Sequence, residues 1–229
     1  MRAFAGRKAL VAGSSTDPVA PGGSDPGAVA LTFDDGPDPV WTPRIMEALR
    51  HADAKATFFV TAPLDRRFQS LISDMQTAGH AVELHCTRHI RHTDLAREQV
   101  KADVRSALRD LRKLGLSPRF WRPPWGVLAP WTAEVAEDFG LELVAWTADT
   151  HDWRGDSAPE MLAAVAPDLG PDAVVLMHDG LGPGTRRSGC EETVALIGVL
   201  VAHVRSLGCE PTTIDAIRRA PFTRPRATV

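Results

Sequence analysis

The sequence predicts an α/β fold in which repeated strand-helix units surround a parallel sheet. Three observations carry that expectation. Short runs rich in Val, Phe, Leu and Thr alternate with longer segments of helical period, and glycines stand where the helical segments stop. The chain has 229 residues, 44% of them hydrophobic, enough for one sizeable core in one domain.

Strand character is read in residues 29–33 (VALTF), 55–60 (KATFFV), 80–85 (HAVELH), 119–122 (RFWR), 141–147 (LELVAWT), 173–178 (AVVLMH) and 210–214 (EPTTI), a count of about seven. Helical segments are expected at 43–51, 67–78, 94–114, 131–139, 159–166 and 191–206. Thr42 before Pro43 reads as an N-cap with proline at the first helical position, and Asp94 as the cap of the long helix. Gly79, Gly115, Gly140 and Gly208 each follow a helical stretch where a left-handed residue is wanted. In the long helix Leu95, Val100, Val104, Ala107, Leu108, Leu111 and Leu114 form an apolar stripe, with Arg97, Lys101, Arg105, Arg109 and Arg112 on other faces. Residues 1–28 end in a run of turn formers and read as an irregular lead-in, so the folded domain is expected from Val29 to the C-terminus at 229.

Composition excludes several function classes. With 26 Lys and Arg against 29 Asp and Glu, the net charge of -3 leaves no electrostatic footprint for nucleic acid or an anionic membrane. Cys86, Cys190 and Cys209 have no metal-ligand pair spacing and cannot all pair, so they read as small buried residues in a reducing compartment. Arg7 and Lys8 interrupt the N-terminal stretch before an apolar run of secretory length develops, and no stretch approaches the ~20 apolar residues that span a bilayer. A cytoplasmic protein is the expectation. Its oligomeric state cannot be read from sequence. Asp138-Phe139-Gly140 is a helix end, and Gly182 to Thr185 is a loop rather than a phosphate cradle.

The unusual polar residues gather at the C-terminal ends of the expected strands: Asp34 and Asp35, His85 and His89, Arg122, Asp149 and Asp152, and His178. In parallel α/β sheets and barrels these ends share the face on which loops build active sites. His85 and His89 are four apart, so on a helical turn both imidazoles would project from one side, although alone such a pair is a weak signal and reads more readily as solvated or capping histidines, with His92 as a third. The adjacent carboxylates strengthen the metal reading, because two imidazoles and a carboxylate leave positions open for water and substrate. Neighbouring residues at a strand end point to different sides. One of Asp34 and Asp35 can therefore bind a metal while the other handles protons. That division suits metal-assisted hydrolysis, with His178 as candidate acid for a leaving amine.

The strings TFDDGP (32–37), HCTRH (85–89), RPPWG (122–126), DTHDW (149–153) and LMH (176–178) resemble, in order, the five motifs of the polysaccharide deacetylase family with NodB homology, also called carbohydrate esterase family four. The resemblance covers roughly Val29 to Ile214 and implies a distorted (β/α) barrel with one divalent metal ion, zinc ahead of Co2+, Ni2+, Mn2+ or Fe2+. It implies Asp35, His85 and His89 as ligands, Asp34 as general base held by Arg122, and His178 as general acid oriented by Asp149. The backbone N–H of Trp125 would help to stabilise the oxyanion. Trp153 and Leu176 would line a pocket for the acetyl methyl, although both could be plain core. This chain departs from the family pattern at Cys86, usually Ser or Thr, and at Trp125, usually Tyr; the secretion signal common among the polymer-acting members is not expected from its N-terminal stretch.

The resulting expectation is a metal-dependent N-deacetylase of an acetylated amino sugar, glycan or glycosylated small molecule, releasing acetate and a free amine. Two rivals are a cyclic imide or ureide amidohydrolase of the same fold, whose members tend to lose the metal ligands kept here, and a catalytically silent carbohydrate-binding domain, which needs no proton-transfer pairs. Arg186 and Arg187 beside His178 are read either as contacts for an anionic substituent or as an ordinary exposed loop.

Overall fold

The structure is a computed structural model that describes residues 27–64 and 68–217. The lead-in through residue 26, the expected helix start at Arg67 and the last twelve residues lie outside the described residues.

Eight parallel strands form one curled sheet: β1 (Gly27–Asp34), β2 (Thr57–Thr61), β3 (Ala81–Cys86), β4 (Phe120–Trp121), β5 (Glu142–Leu143), β6 (Ala148–Asp149), β7 (Ala173–His178) and β8 (Cys209–Thr212). The strand order is β5-β4-β3-β2-β1-β7-β6, and β8 pairs with the start of β1. Helices α1 (Trp41–His51), α2 (Gln69–Thr77), α3 (Arg97–Lys113), α4 (Thr132–Asp138), α5 (Ala158–Val165) and α6 (Glu191–Ser206) accompany them, so the distorted (β/α) barrel expected from the resemblance is present. The domain begins two residues earlier than expected, because Gly27 and Ala28 pair with Cys209 and Glu210.

One expected strand divides in two, and the reason locates the distortion. Residues 141–147 read as a single run, but β5 pairs with β4 whereas β6 pairs with β7. Between them the chain crosses from one edge of the sheet to the other. There Val144 N–H donates to the Trp121 carbonyl at 2.9 Å and Thr147 N–H to the Val174 carbonyl at 2.9 Å. Strand periodicity cannot show that a segment changes partner part-way along.

Two capping expectations are corrected. Thr42 lies inside α1, and Asp38 does the capping by accepting the Val40 and Trp41 N–H groups at 2.8 Å each. Asp94 belongs to a 3-10 turn, His92–Asp94; α3 starts at Arg97, where the Gln99 side chain reaches back to the Ala96 N–H. The four helix-ending glycines all take left-handed φ, from 67° to 83°.

Alternate residues along the strands face opposite sides of the barrel wall. Leu31, Phe33, Phe58, Val60, Leu84, Trp121, Val175 and Met177 face the helices and form the main core, with the stripe of α3 packed on it as expected. The inner face holds a smaller apolar plug of Ala30, Phe59, Phe120, Val144 and Val174, closed by Ile214 and Ile217. Farther toward the strand ends that same inner face turns polar, with Asp34, His85, Arg122 and His178. All three cysteines are buried and free, as their composition reading expected. No helix among the described residues is long and apolar enough to cross a membrane.

Phe58 is fully buried and stacks on Phe33 with ring centroids 5.1 Å apart. Phe58→Ala is expected to lower stability by about 3–5 kcal/mol, read from urea unfolding monitored by circular dichroism.

Candidate active site and metal centre

Asp35, His85 and His89 bring one ligand atom each to within 4.8 Å of one another. His85 Nε2 lies 3.4 Å and His89 Nε2 3.3 Å from Asp35 Oδ1. His85 Nδ1 is 2.7 Å from the Arg122 carbonyl, which can only accept, so this nitrogen carries the proton and Nε2 directs its lone pair at Asp35 when the ring is neutral. That Nε2 is buried with no hydrogen-bond partner. A cation fits here, because it would reconcile acceptor atoms converging on one point, and two imidazoles with a carboxylate suit a divalent transition metal. Burial opposes ionisation of Asp35, but close contact with His85 and the charges that His85, His178 and His89 carry when protonated outweigh it and bring the carboxyl down to about 2.

The two histidines reach this geometry without a helical turn, which corrects the expectation drawn from their spacing. His85 sits in β3 and His89 in the loop that follows. Asp103 of α3 folds that loop: its carboxylate accepts the Thr87 N–H at 2.8 Å and the Arg88 N–H at 3.1 Å, and its side chain also meets the Arg88 guanidinium. Sequence reasoning passed over Asp103 as one more polar residue on a helix. Cys86 points away from the ligand cluster and lies 3.7 Å from Thr61 Oγ1, while burial pushes its thiol up. It stays a thiol and packs as a small apolar side chain.

Asp34 and Arg122 meet as expected, with the Arg122 Nη1 group donating to Asp34 Oδ1 at 2.8 Å and to Thr32 Oγ1 at 2.8 Å. Arg122 is fully buried, its guanidinium 4.2 Å from the Phe59 ring centroid and its Nη2 donating to the Ala145 carbonyl at 3.3 Å.

The carboxylate that serves His178 is Asp152, not Asp149. His178 Nδ1 is 2.7 Å from Asp152 Oδ1, and the His178 N–H donates to Asp152 Oδ2 at 2.9 Å. Asp149 instead accepts the His151 N–H at 2.8 Å, and its carboxylate lies 3.1 Å from His151 Nδ1. The chain turns through His151 at a left-handed φ of 58°, and this turn carries Asp152 back beneath β7. Asp152 Oδ2 also accepts from Thr193 Oγ1 at 2.9 Å and from Arg187 Nη1 at 2.9 Å. Burial disfavours a charged His178, but the Asp152 charge and hydrogen bond, followed by the charges of Asp35 and Asp34, outweigh it and raise the imidazole to about 9.

Around these groups stand the remaining expected site residues. Leu176 is buried in β7, in register with Thr32 and Asp149 and two residues before His178 on the same face. Trp125, 38% exposed, has His89 against its ring edge and the Arg91 guanidinium 4.2 Å from its centroid. Trp153 is partly exposed on the opposite loop. Of the five described non-glycine residues with positive φ, three are Asp35, Trp125 and His151. Backbone strain thus concentrates in the loops of the site. Asp179 is a further residue the sequence reading missed. It is fully buried, accepts from Thr42 Oγ1 at 2.5 Å, and fills the space that a Cβ at Gly36 would need.

The sequence pattern described as polysaccharide deacetylase matches residues 22–144, just over half of the chain. The chain belongs to the polysaccharide deacetylase family. This family member is 33% identical over 196 residues to a chitooligosaccharide deacetylase of Bradyrhizobium sp. (strain ANU 289), covering 80% of this chain and 87% of the relative. It is 28% identical over 193 residues to a peptidoglycan-N-acetylglucosamine deacetylase of Bacillus cereus, covering 83% and 88%. Among solved structures it resembles a family 4 carbohydrate esterase from Streptomyces lividans in complex with acetate, with a TM-score of 0.72, 30% identity and coverage of 80% and 91%.

If Asp103 sets the ligand loop, Asp103→Ala weakens divalent-metal affinity about 10–100-fold while the cooperative fold is kept. Zinc titration against a competing chromophoric chelator measures this. An unchanged affinity removes Asp103 from the account of the metal centre.

Proposed function

We propose that this polysaccharide deacetylase family member is a metal-dependent hydrolase of a non-peptide C–N bond. It removes an N-acetyl group from an acetylated amino sugar, glycan or glycosylated small molecule, releasing acetate and a free amine. One observation carries the reading. The Asp34–Arg122 pair and the Asp152–His178 pair are separate proton-handling units, and both open onto the inner rim that holds Asp35, His85 and His89. The names of the relatives, deacetylases of chitooligosaccharide and of peptidoglycan N-acetylglucosamine, support the same bond and substrate class.

Asp35, His85 and His89 would hold the ion, zinc first, with Co2+, Ni2+, Mn2+ or Fe2+ also compatible with this donor set. When bound, it supplies a Lewis acid for the acyl oxygen and lowers the pKa of water. Asp34, fixed by Arg122, accepts the proton of the attacking water. The Trp125 N–H donates to the oxyanion that develops on the former carbonyl oxygen. His178 then gives its Nε2 proton to the leaving nitrogen, because an amine anion is too poor a leaving group, and Asp152 stabilises the imidazolium until it does so. Leu176 and Trp153 shape the pocket for the acetyl methyl.

His178→Ala is expected to keep its metal, measured by elemental analysis, and to lose about 10²–10⁴-fold in acetate release from an acetylated chitooligomer. Undiminished release rejects the acid role. Removal of the ion by chelation is expected to abolish acetate release, with recovery on adding Zn2+. Full turnover by protein with less than about a tenth of a metal per chain would overturn the metal-dependent reading.

The pH dependence follows from the Asp152 contact. The acid must be protonated to act, so activity is expected to fall as pH rises through about 9, where His178 loses its proton. Asp152→Asn withdraws the charge that favours the imidazolium, and the basic limb of the kcat profile shifts to lower pH. A limb that stays in place assigns that titration to another group.

A further inference from the structure

The two consecutive arginines of the loop after β7 have opposite fates. Arg187 is turned inward: it donates to Asp152 Oδ2, Thr193 Oγ1 and the His178 carbonyl, it is paired with the Asp152 charge, and only 7% of its side chain is exposed. Arg186 is turned outward and exposed, with its guanidinium 5.9 Å from the Trp153 ring centroid. Arg154, also exposed, lies over the same ring at 5.2 Å. Two cations therefore flank one aromatic side chain beside the His178–Asp152 pair. Among the described residues neither has a carboxylate partner, unlike Arg119 with Asp215 and Arg205 with Glu210; exposed Arg44, Arg105 and Arg112 also have none, so it is the shared position of the two at the Trp153 ring that sets them apart.

This lip is rigid. The Arg186 N–H donates to the Trp153 carbonyl at 2.8 Å and Thr185 Oγ1 to the same oxygen at 3.3 Å. The buried Asp152–Arg187 contact sits one residue from Trp153 on one side and one residue from Arg186 on the other. The backbone that carries both cations is thus held by the same contact that positions the proposed acid. A neutral sugar would best use a bare aromatic face, and here guanidinium groups already lie over it. Arginine presents a planar array of donors that matches phosphate and carboxylate.

The geometry points to a subsite for an anionic substituent at Arg154 and Arg186, so that the preferred substrate is an N-acetylated sugar carrying a phosphate or a carboxylate on the side of the leaving amine. This rests on the deacetylase reading above and narrows it. The net charge of -3 makes the lip a local feature rather than part of a generally basic surface.

The test uses the metal-loaded full chain with four probes: di-N-acetylchitobiose as the neutral one, N-acetylglucosamine 1-phosphate and UDP-N-acetylglucosamine for phosphate, and N-acetylmuramic acid for carboxylate. Acetate release is expected to show kcat/KM at least about tenfold higher for an anionic probe than for chitobiose. Arg154→Gln and Arg186→Gln should each raise KM for that probe by roughly fivefold, the upper range for an exposed charge contact, and leave chitobiose unchanged. Added salt should raise KM for the anionic probe alone. The probe that responds separates phosphate from carboxylate. Equal kcat/KM across charged and neutral probes, insensitive to both substitutions, overturns the inference while the deacetylase reading stands. If no probe releases acetate, the deacetylase reading fails, and calorimetric binding of the same probes decides the subsite: an anionic probe bound no more tightly than chitobiose overturns it.

Discussion

The buried guanidinium of Arg122 is the interaction on which the rest of the structure depends. It occupies the place where the barrel wall fails to close by strand pairing alone, between the β4–β5 edge and the β6–β7 edge. There it donates to the Ala145 carbonyl of the crossing segment. The same group fixes the Asp34 carboxylate, and the residue's own carbonyl orients His85 through Nδ1. One residue therefore connects barrel closure, the proposed base and a proposed metal ligand. A fully buried charge would cost several kcal/mol on its own, and removing one partner of such a pair typically costs about 3–5 kcal/mol. Here Asp34 supplies the countercharge, and the faces of Phe59 and Trp146 cover the guanidinium. The site is thereby built into the wall of the barrel.

A second buried charge pair, Asp152 with Arg187, does the corresponding work on the opposite side. Its logic differs from that of the first. Arg122 holds the carboxylate of the proposed base, whereas Arg187 holds a carboxylate that meets the imidazole of the proposed acid. Asp152 divides its two oxygens between these tasks, Oδ1 for the His178 ring and Oδ2 for Arg187, Thr193 and the His178 N–H. Because Arg187 and Thr193 occupy Oδ2, the carboxylate cannot rotate away from the ring. The proposed acid therefore keeps its tautomer and direction, a form of preorganisation that would cost no rearrangement during the reaction.

Much of this was legible in the sequence, and the failures have identifiable physical causes. Strand and helix alternation was visible because the main core is built from period-2 strands and a helix stripe, and β7 and α6 fall where their patterns predict. Polar residues at strand ends marked the rim, since in parallel sheets chain direction alone brings those ends together. The partner switch within residues 141–149 was invisible because both halves have strand character. The exchange of Asp149 for Asp152 turns on the left-handed conformation of His151, which no side-chain pattern encodes. Asp103 and Asp179 were missed for a shared reason: each acts through backbone or a hydroxyl contributed by a distant segment, so its neighbours in sequence carry no trace of the role. Asp38, which caps α1, was overlooked because Thr42 and Pro43 mimic a cap, although the Thr42 hydroxyl is in fact spent on Asp38 and Asp179.

The proposed metal ligands also depend on what surrounds them at very close range. Asp35 adopts a left-handed φ of 73°, a conformation that costs a non-glycine residue of order 1–3 kcal/mol and persists only where neighbours over-determine it. Those neighbours are glycines and a buried acid. A Cβ at Gly180 or Gly182 would overlap the backbone or the carboxylate of Asp35, and one at Gly36 would overlap Asp179. The loop after β7 thus closes against Asp35 at a distance that only glycine permits, and Arg187 ties the far end of that same loop to Asp152. A shift of that loop would be felt at Asp35, the proposed metal ligand, and at His178, the proposed acid, together. The two sides of the proposed chemistry, one organised by Arg122 and the other by Arg187, are in this way held in register by a single short segment of chain.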